Sequence, residues 1–194
     1  MTEPLEPLLA AVRACRICAD SLPEGPLPLL RADRGARIAI AGQAPGIRVH
    51  RTGTPWNDPS GDRLRDWLGV DRDTFYDTSK FAIVPMGFCY PGTVKGKGDL
   101  PPRPECRATW HDRIFAALPE IELTLCIGQY AIDYHMPDLK RPTLTETVRN
   151  WRQALPRRLP MPHPSGRNNL WLRRNPFFEA EVLPELRRRV AGLI

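Results

Sequence analysis

No apolar run in this chain approaches the roughly 20 residues that a membrane-spanning helix needs. The opening residues, Met1-Thr-Glu-Pro-Leu-Glu6, are acidic and lack an apolar signal core, so secretion is not expected. The expected location is cytoplasmic and reducing, where cysteines serve as ligands or core residues more often than as disulfides. There is no internal repeat and no low-complexity tail. The loop Gly42-Gln-Ala-Pro-Gly46 lacks both the Lys-Ser/Thr of a P-loop and the spacing of a dinucleotide fingerprint, which sets aside an enzyme acting on a small phosphorylated substrate.

What the chain does hold is enough apolar material for a core. At 194 residues, 42% hydrophobic and 26% charged, it fits one globular domain spanning 1–194. The net charge of +6 leans toward a polyanionic partner. Arginine, whose planar fork suits phosphate, supplies most of that charge. The run Arg187–Arg189 falls on an expected C-terminal helix and reads as a solvated helix end.

Short apolar runs alternate with helical patterns. Strands are expected at Ile38 to Ala41, Phe81 to Met86, Glu122 to Ile127 and Leu159 to Met161. Helices are expected at Leu5 to Arg13, Ser60 to Leu68, Glu105 to Leu118, Gln129 to His135, Thr143 to Ala154 and Asn175 to Val190. Such alternation predicts an α/β fold, a three-layer αβα with a central four-stranded parallel sheet. Pro23 to Pro28 reads as a connector. The loop from Gly92 to Pro104 is long for a compact domain and is either mobile or tied down.

Two of the loops that follow expected strands are rich in small residues. Gly42–Gly46 follows the first strand, and His163-Pro-Ser-Gly-Arg-Asn168 follows the last. In open α/β sheets ligands bind at that edge, so one loop offers backbone N–H groups and the other an imidazole.

Cys126 sits inside an apolar strand and reads as a small core residue. Cys15 and Cys18 form a C-x-x-C knuckle, while Cys89 and Cys106 flank the long loop. Four thiolates from helix ends and loops suit a 4Fe-4S cluster or a structural zinc. Zinc ribbons usually bring two close pairs; one close pair and two dispersed ligands favour the cluster, with zinc the alternative and four unligated thiols the bland reading.

Taken in order, Cys15-Arg-Ile-Cys18, Gly42-Gln-Ala-Pro-Gly46, Gly53-Thr-Pro-Trp56, Cys89, Leu100-Pro-Pro-Arg-Pro-Glu105, Cys106 and His163-Pro-Ser165 resemble the uracil-DNA glycosylase superfamily. The likeness is closest to its iron–sulfur-containing bacterial and archaeal branch. It implies a monofunctional uracil-DNA glycosylase-type hydrolase of base-excision repair; a monomer is expected. The substrate would be single- or double-stranded DNA containing uracil or a related deaminated base, flipped out and cut at its N-glycosidic bond. It implies Trp56 as the stacking platform, His163 as the donor to the base oxygen, and Gln43 and Ala44 as backbone donors. Gly46, Ser165, Gly166, Arg167 and Asn168 would meet the DNA, and Cys15, Cys18, Cys89 and Cys106 would hold the cluster.

Two departures shape the expected site. Where the best-known branch has a water-activating Asp, this chain has Ala44, which leaves Asp58, Asp62 and His50 as candidates, with Asp58 preferred. Where the iron–sulfur branch has an Asn that reads the uracil edge, this chain has Pro85, so readout falls to Asn57 or to main-chain groups near Met86 and Gly87. Hypoxanthine or xanthine then becomes conceivable. The missing groups also motivate an alternative, a damaged-DNA binding protein without turnover.

Overall fold

A computed structural model describes residues 3–194. Its four parallel strands are β1 (Ile38–Ala41), β2 (Phe81–Ile83), β5 (Leu123–Ile127) and β6 (Arg158–Met161), in the order β2-β1-β5-β6. A separate two-stranded hairpin, β3 (Thr93–Val94) with β4 (Gly98–Asp99), lies in the long loop. Ile38 is level with Phe81 on one side and Leu123 on the other, and Leu125 with Leu159.

The two sheet faces differ in side-chain size. Ile38, Ile40, Phe81, Ile83, Leu123, Leu125, Leu159 and Met161 join one core with helix α3 (Pro59–Leu68), Phe75 of helix α4 (Arg72–Tyr76) and the chain's last helix. Ala82, Ala41 and Cys126 face the other way. Their small size leaves room for helix α1 (Leu5–Arg13) and the helix over residues 104–116. Period-two burial of this kind, with both faces covered, gives three layers. The chain passes from β1 to one side for β2, then crosses to the other side for β5, so the topological switch lies between β1 and β5.

Several boundaries move. The second strand stops at Ile83, short of the expected Met86, because the chain turns away to form the cavity wall. The expected helix at Thr143 is Leu144–Arg149 followed by a separate turn over Trp151–Ala154. The helix expected from Glu105 starts at Pro104 and contains a π turn over Arg107–His111. The last helix begins with another π turn over Phe178–Val182 and runs on to Leu193. Short helices at Ile47–Thr52, Arg72–Tyr76 and Asn169–Arg174 carry too few turns for a periodic signal to show. The segment just after the Pro-rich connector covers the free edge of β2, exchanging bonds between Arg31 and Ile83 and giving the Leu29 N–H to the Phe88 carbonyl at 2.8 Å. No described helix is long and apolar enough to cross a membrane.

Candidate active site

A cavity of about 340 Å³ opens beyond the C-terminal ends of β1, β2 and β6. Its walls are Gly42–Gly46, Pro55, Trp56, Asp58, Ser60, Pro85, Asp99, Leu100, His163, Ser165, Arg167 and Asn168, with Leu29, Val49 and Ile83 beneath. The two loops singled out from the sequence therefore meet.

The first loop is drawn tight by the strand beside it. The Met86 N–H donates to the Gly42 carbonyl and the Gly87 N–H to the Gln43 carbonyl, each at 2.8 Å. Among the described residues no backbone acceptor takes the Gln43 or Ala44 N–H, so both remain available at the cavity. The Gln43 side chain packs across Gly128, which starts the helix Gln129–His135. Gly42 is needed for close approach: a Cβ there would stand 2.8 Å from Cζ2 of Trp56.

Trp56 is the one described non-glycine residue with a left-handed backbone, at φ 58°. That conformation costs of order 1–3 kcal/mol and persists only where neighbours enforce it. Three do. The Tyr76 hydroxyl donates to the Pro55 carbonyl at 2.7 Å, the Arg65 guanidinium to the Trp56 carbonyl at 3.3 Å, and Arg72 to Asn57 Oδ1 at 3.0 Å. Arg65 is itself buried, lies over the Phe75 and Tyr76 rings and pairs with Asp62 at 2.5 Å. Burial pushes the Tyr76 phenol pKa up, so it stays a donor.

The indole stacks on His163, with ring centroids 5.5 Å apart and planes 27° off parallel. The His163 carbonyl accepts from Asn168 Nδ2 at 2.7 Å, and α3 braces the same loop through Arg63, which donates to Asn169 and to the Ser165 carbonyl. Burial lowers the His163 pKa below its ordinary 6.5, against the opposing pull of Asp58 and Asp99 and with help from Arg167. The ring is neutral at pH 7 and has a proton to donate from one nitrogen.

Other expected site residues fall elsewhere. Asn57 does not line the cavity; its oxygen is spent on Arg72. Met86 is buried among Ala41, Cys126 and Ala131, and its N–H, like that of Gly87, is committed to the first loop. Gly166 lies outside the cavity wall at the start of a short 3-10 turn. His50 and Asp62 also miss it; Asp62 is exposed and engaged by Arg65. Asp58 does line the cavity, but Oδ1 caps α3 by accepting from the Gly61 N–H at 2.8 Å, a bond worth about 1 kcal/mol.

Sequence reading missed Asp99, which lines the cavity from the hairpin, and the Arg65–Tyr76–Arg72 clamp behind Trp56. It also missed His111. That ring is wholly buried against Phe88, with one nitrogen 3.0 Å from the Pro85 carbonyl and the other 3.2 Å from the Cys106 carbonyl.

All five cysteines are free. Burial raises the thiol pKa of Cys18, takes Cys89 to about 11 and Cys106 to about 12. Negative charge on Cys15 adds to all three, that on Cys18 adds to Cys89 and Cys106, and that on Cys89 adds to Cys106. These mutual effects all oppose ionisation. Among the described residues no three His, Cys, Asp or Glu side chains close on a single ion. Thiolate is the donor chemistry of both an iron–sulfur cluster and a structural zinc.

Comparison with known proteins bears on the whole arrangement. A solution NMR structure of a Methanosarcina acetivorans protein assigned as a uracil DNA glycosylase aligns over 84% of this chain and 98% of its own, with 17% identity and a TM-score of 0.47. The family model for the uracil DNA glycosylase superfamily matches residues 31–187, a span that takes in every cavity-lining residue except Leu29 and begins after Cys15 and Cys18. With so much of its length matched, the chain belongs to the uracil DNA glycosylase superfamily.

Proposed function

We propose that the protein is a DNA glycosylase of base-excision repair that hydrolyses the N-glycosidic bond of uracil, or of a related deaminated base, flipped out of DNA. The observation that carries this is one cavity shared by Trp56, His163 and the free N–H groups of Gln43 and Ala44.

A flipped base needs a flat apolar face, and aromatic stacking contributes about 1–3 kcal/mol per base. With centroids 5.5 Å apart there is no space for a base between Trp56 and His163. The base therefore rests on the open part of the indole face and meets His163 at its edge. As the glycosidic bond breaks, its electron pair moves onto the base. The neutral His163 ring and the two backbone N–H groups donate to the developing oxyanion, which lowers the barrier more than it stabilises the bound substrate. The rigid Trp56 clamp spares the enzyme from ordering this wall during reaction. Arg167 and Ser165 at the rim suit phosphate and sugar contact.

Pro85 contributes no side-chain hydrogen bond to the cavity wall. Without an edge-reading side chain at that position, the reading extends to several deaminated bases rather than uracil alone. Cys15, Cys18, Cys89 and Cys106 would hold a 4Fe-4S cluster, with zinc the alternative. Its role would be to clip the end of α1 and the long loop to the body.

The test is release of free base from oligonucleotides carrying uracil, hypoxanthine or xanthine, in single and double strands. Release with an abasic product, lost in His163→Ala, supports the proposal. Tight, salt-sensitive binding to the same DNA with no product would instead favour a damage-binding protein, the reading that Ala44 motivates.

A further inference from the structure

We propose that Asp99, carried over the cavity by the β3–β4 hairpin, is the carboxylate that holds and deprotonates the attacking water. This deepens the glycosylase reading and rests on it. Asp58 and Asp99 are the two carboxylates among the described residues that line the cavity. Asp58 has one oxygen committed to capping α3. Asp99 also has one oxygen engaged, but by a hydroxyl of its own hairpin rather than by a helix cap. Its Oδ1 accepts from Thr93 Oγ1 at 2.6 Å, and Thr93 in turn meets the Tyr90 hydroxyl at 2.6 Å. Its Oδ2 lies against Gly46, 3.4 Å from where a Cβ would stand.

The hairpin is docked rather than loose. Gly98, at φ +97°, lies directly against the Arg167 guanidinium. Asp99 thus stands exposed beside Gly46 of the first loop, in the cavity that Arg167 and His163 also line. The negative charges of Asp58 and then Asp99 both act on His163 against the effect of its burial. The Asp99 charge suits the cationic sugar that forms as the base departs.

The step balances as follows. The C1′–N bond breaks with its electron pair staying on the base. The water oxygen bonds to C1′, and the proton it loses passes to the Asp99 carboxylate. The base anion then takes up one proton, and Asp99 returns to its charged form.

The experiment is single-turnover base release by the full chain on a uracil-containing duplex, extended to the hypoxanthine and xanthine duplexes. Asp99→Asn should slow release about 100-fold, the scale of a general base. Affinity for a duplex bearing an abasic-site analogue and the melting temperature should stay unchanged. Thr93→Ala should slow release less, with KM unchanged, and Thr93→Ser should restore it. Asp58→Asn should lose less rate than Asp99→Asn. An active wild type with Asp99→Asn within about 3-fold of it, or with Asp58→Asn the slower variant, overturns the assignment of Asp99 and leaves the glycosylase reading standing. A wild type that releases no base from any of these duplexes or from the corresponding single strands overturns both.

Discussion

At the cavity, the recognition groups are held by hydrogen bonds of the fold, whereas at the four cysteines burial and mutual charge work against the thiolate form. Trp56 is kept in a left-handed conformation by Arg65, with its flanking residues tied to Tyr76 and Arg72. His163 is anchored through its carbonyl by Asn168. The thiols of Cys15, Cys18, Cys89 and Cys106 come from three separate stretches of chain, and each charge among them makes the next harder to form. The difference teaches that the cavity walls are positioned by hydrogen bonds already made in the fold, while the cysteine thiols ionise only against burial and one another's charge. His111 links the two, with a ring nitrogen near the Pro85 carbonyl of the cavity wall and the other near the Cys106 carbonyl.

The sharpest way to break the contrast is Cys106→Ser. It should abolish bound metal, read by elemental analysis and visible absorbance of the freshly purified protein. Cys126→Ser, in the β5 strand, should keep the metal and cost only the ~1–3 kcal/mol of an unsatisfied buried hydroxyl in urea unfolding. Equal metal content in the two variants would erase the distinction between the cysteines. Next in size, His163→Ala should slow single-turnover release by about 10²–10³-fold, the cost of one oxyanion donor, with little change in stability.

Smaller effects test the preorganisation. Arg65→Ala should destabilise by about 1–3 kcal/mol, because it strands the Trp56 carbonyl, and should weaken damaged-DNA affinity. Arg65→Lys should not rescue it, since the flat guanidinium also covers the Phe75 and Tyr76 rings. Trp56→Ala should cost about 1–3 kcal/mol in binding the flipped base, and Trp56→Phe much less, read by affinity for a duplex with an uncleavable uracil analogue.

The smallest effect is a pH dependence. Burial lowers the pKa of His163 and His111 below 6.5 and takes that of His135 to about 3. As pH falls below 6.5 the unfolded chain binds protons that these folded rings refuse, so stability declines across the range down to the lowered folded values. Urea midpoints at pH 7 and pH 5 check the sign; a protein more stable at pH 5 would contradict it.

Much of the fold could be read from residue order. Apolar runs near Ile38, Phe81, Leu123 and Leu159 were separated by helical stretches, and their strand identity follows from length and branched residues. The loops after β1 and β6 were legible because small residues and a His-Pro step directly follow apolar strands. Asp99 was not legible. Gly96-Lys-Gly98-Asp99 reads as a polar loop tip, and only its return against Arg167 makes it part of the site. Asn57 misled for a related reason: a polar residue next to Trp56 seems free to meet a base until Arg72, from the next helix, is seen to hold it.

By itself the sequence determined the class of structure and the chemical inventory: an alternating strand–helix chain, an aromatic and a histidine after small-residue loops, and thiols enough for a metal group. Those depend on local pattern and residue type, which the chain carries wherever it goes. The tertiary structure alone decided which polar groups remain unspent. A hydrogen bond between residues far apart in sequence, such as Arg65 to Trp56 or Met86 to Gly42, leaves no periodic trace, yet it settles whether a donor faces the cavity or is consumed behind it.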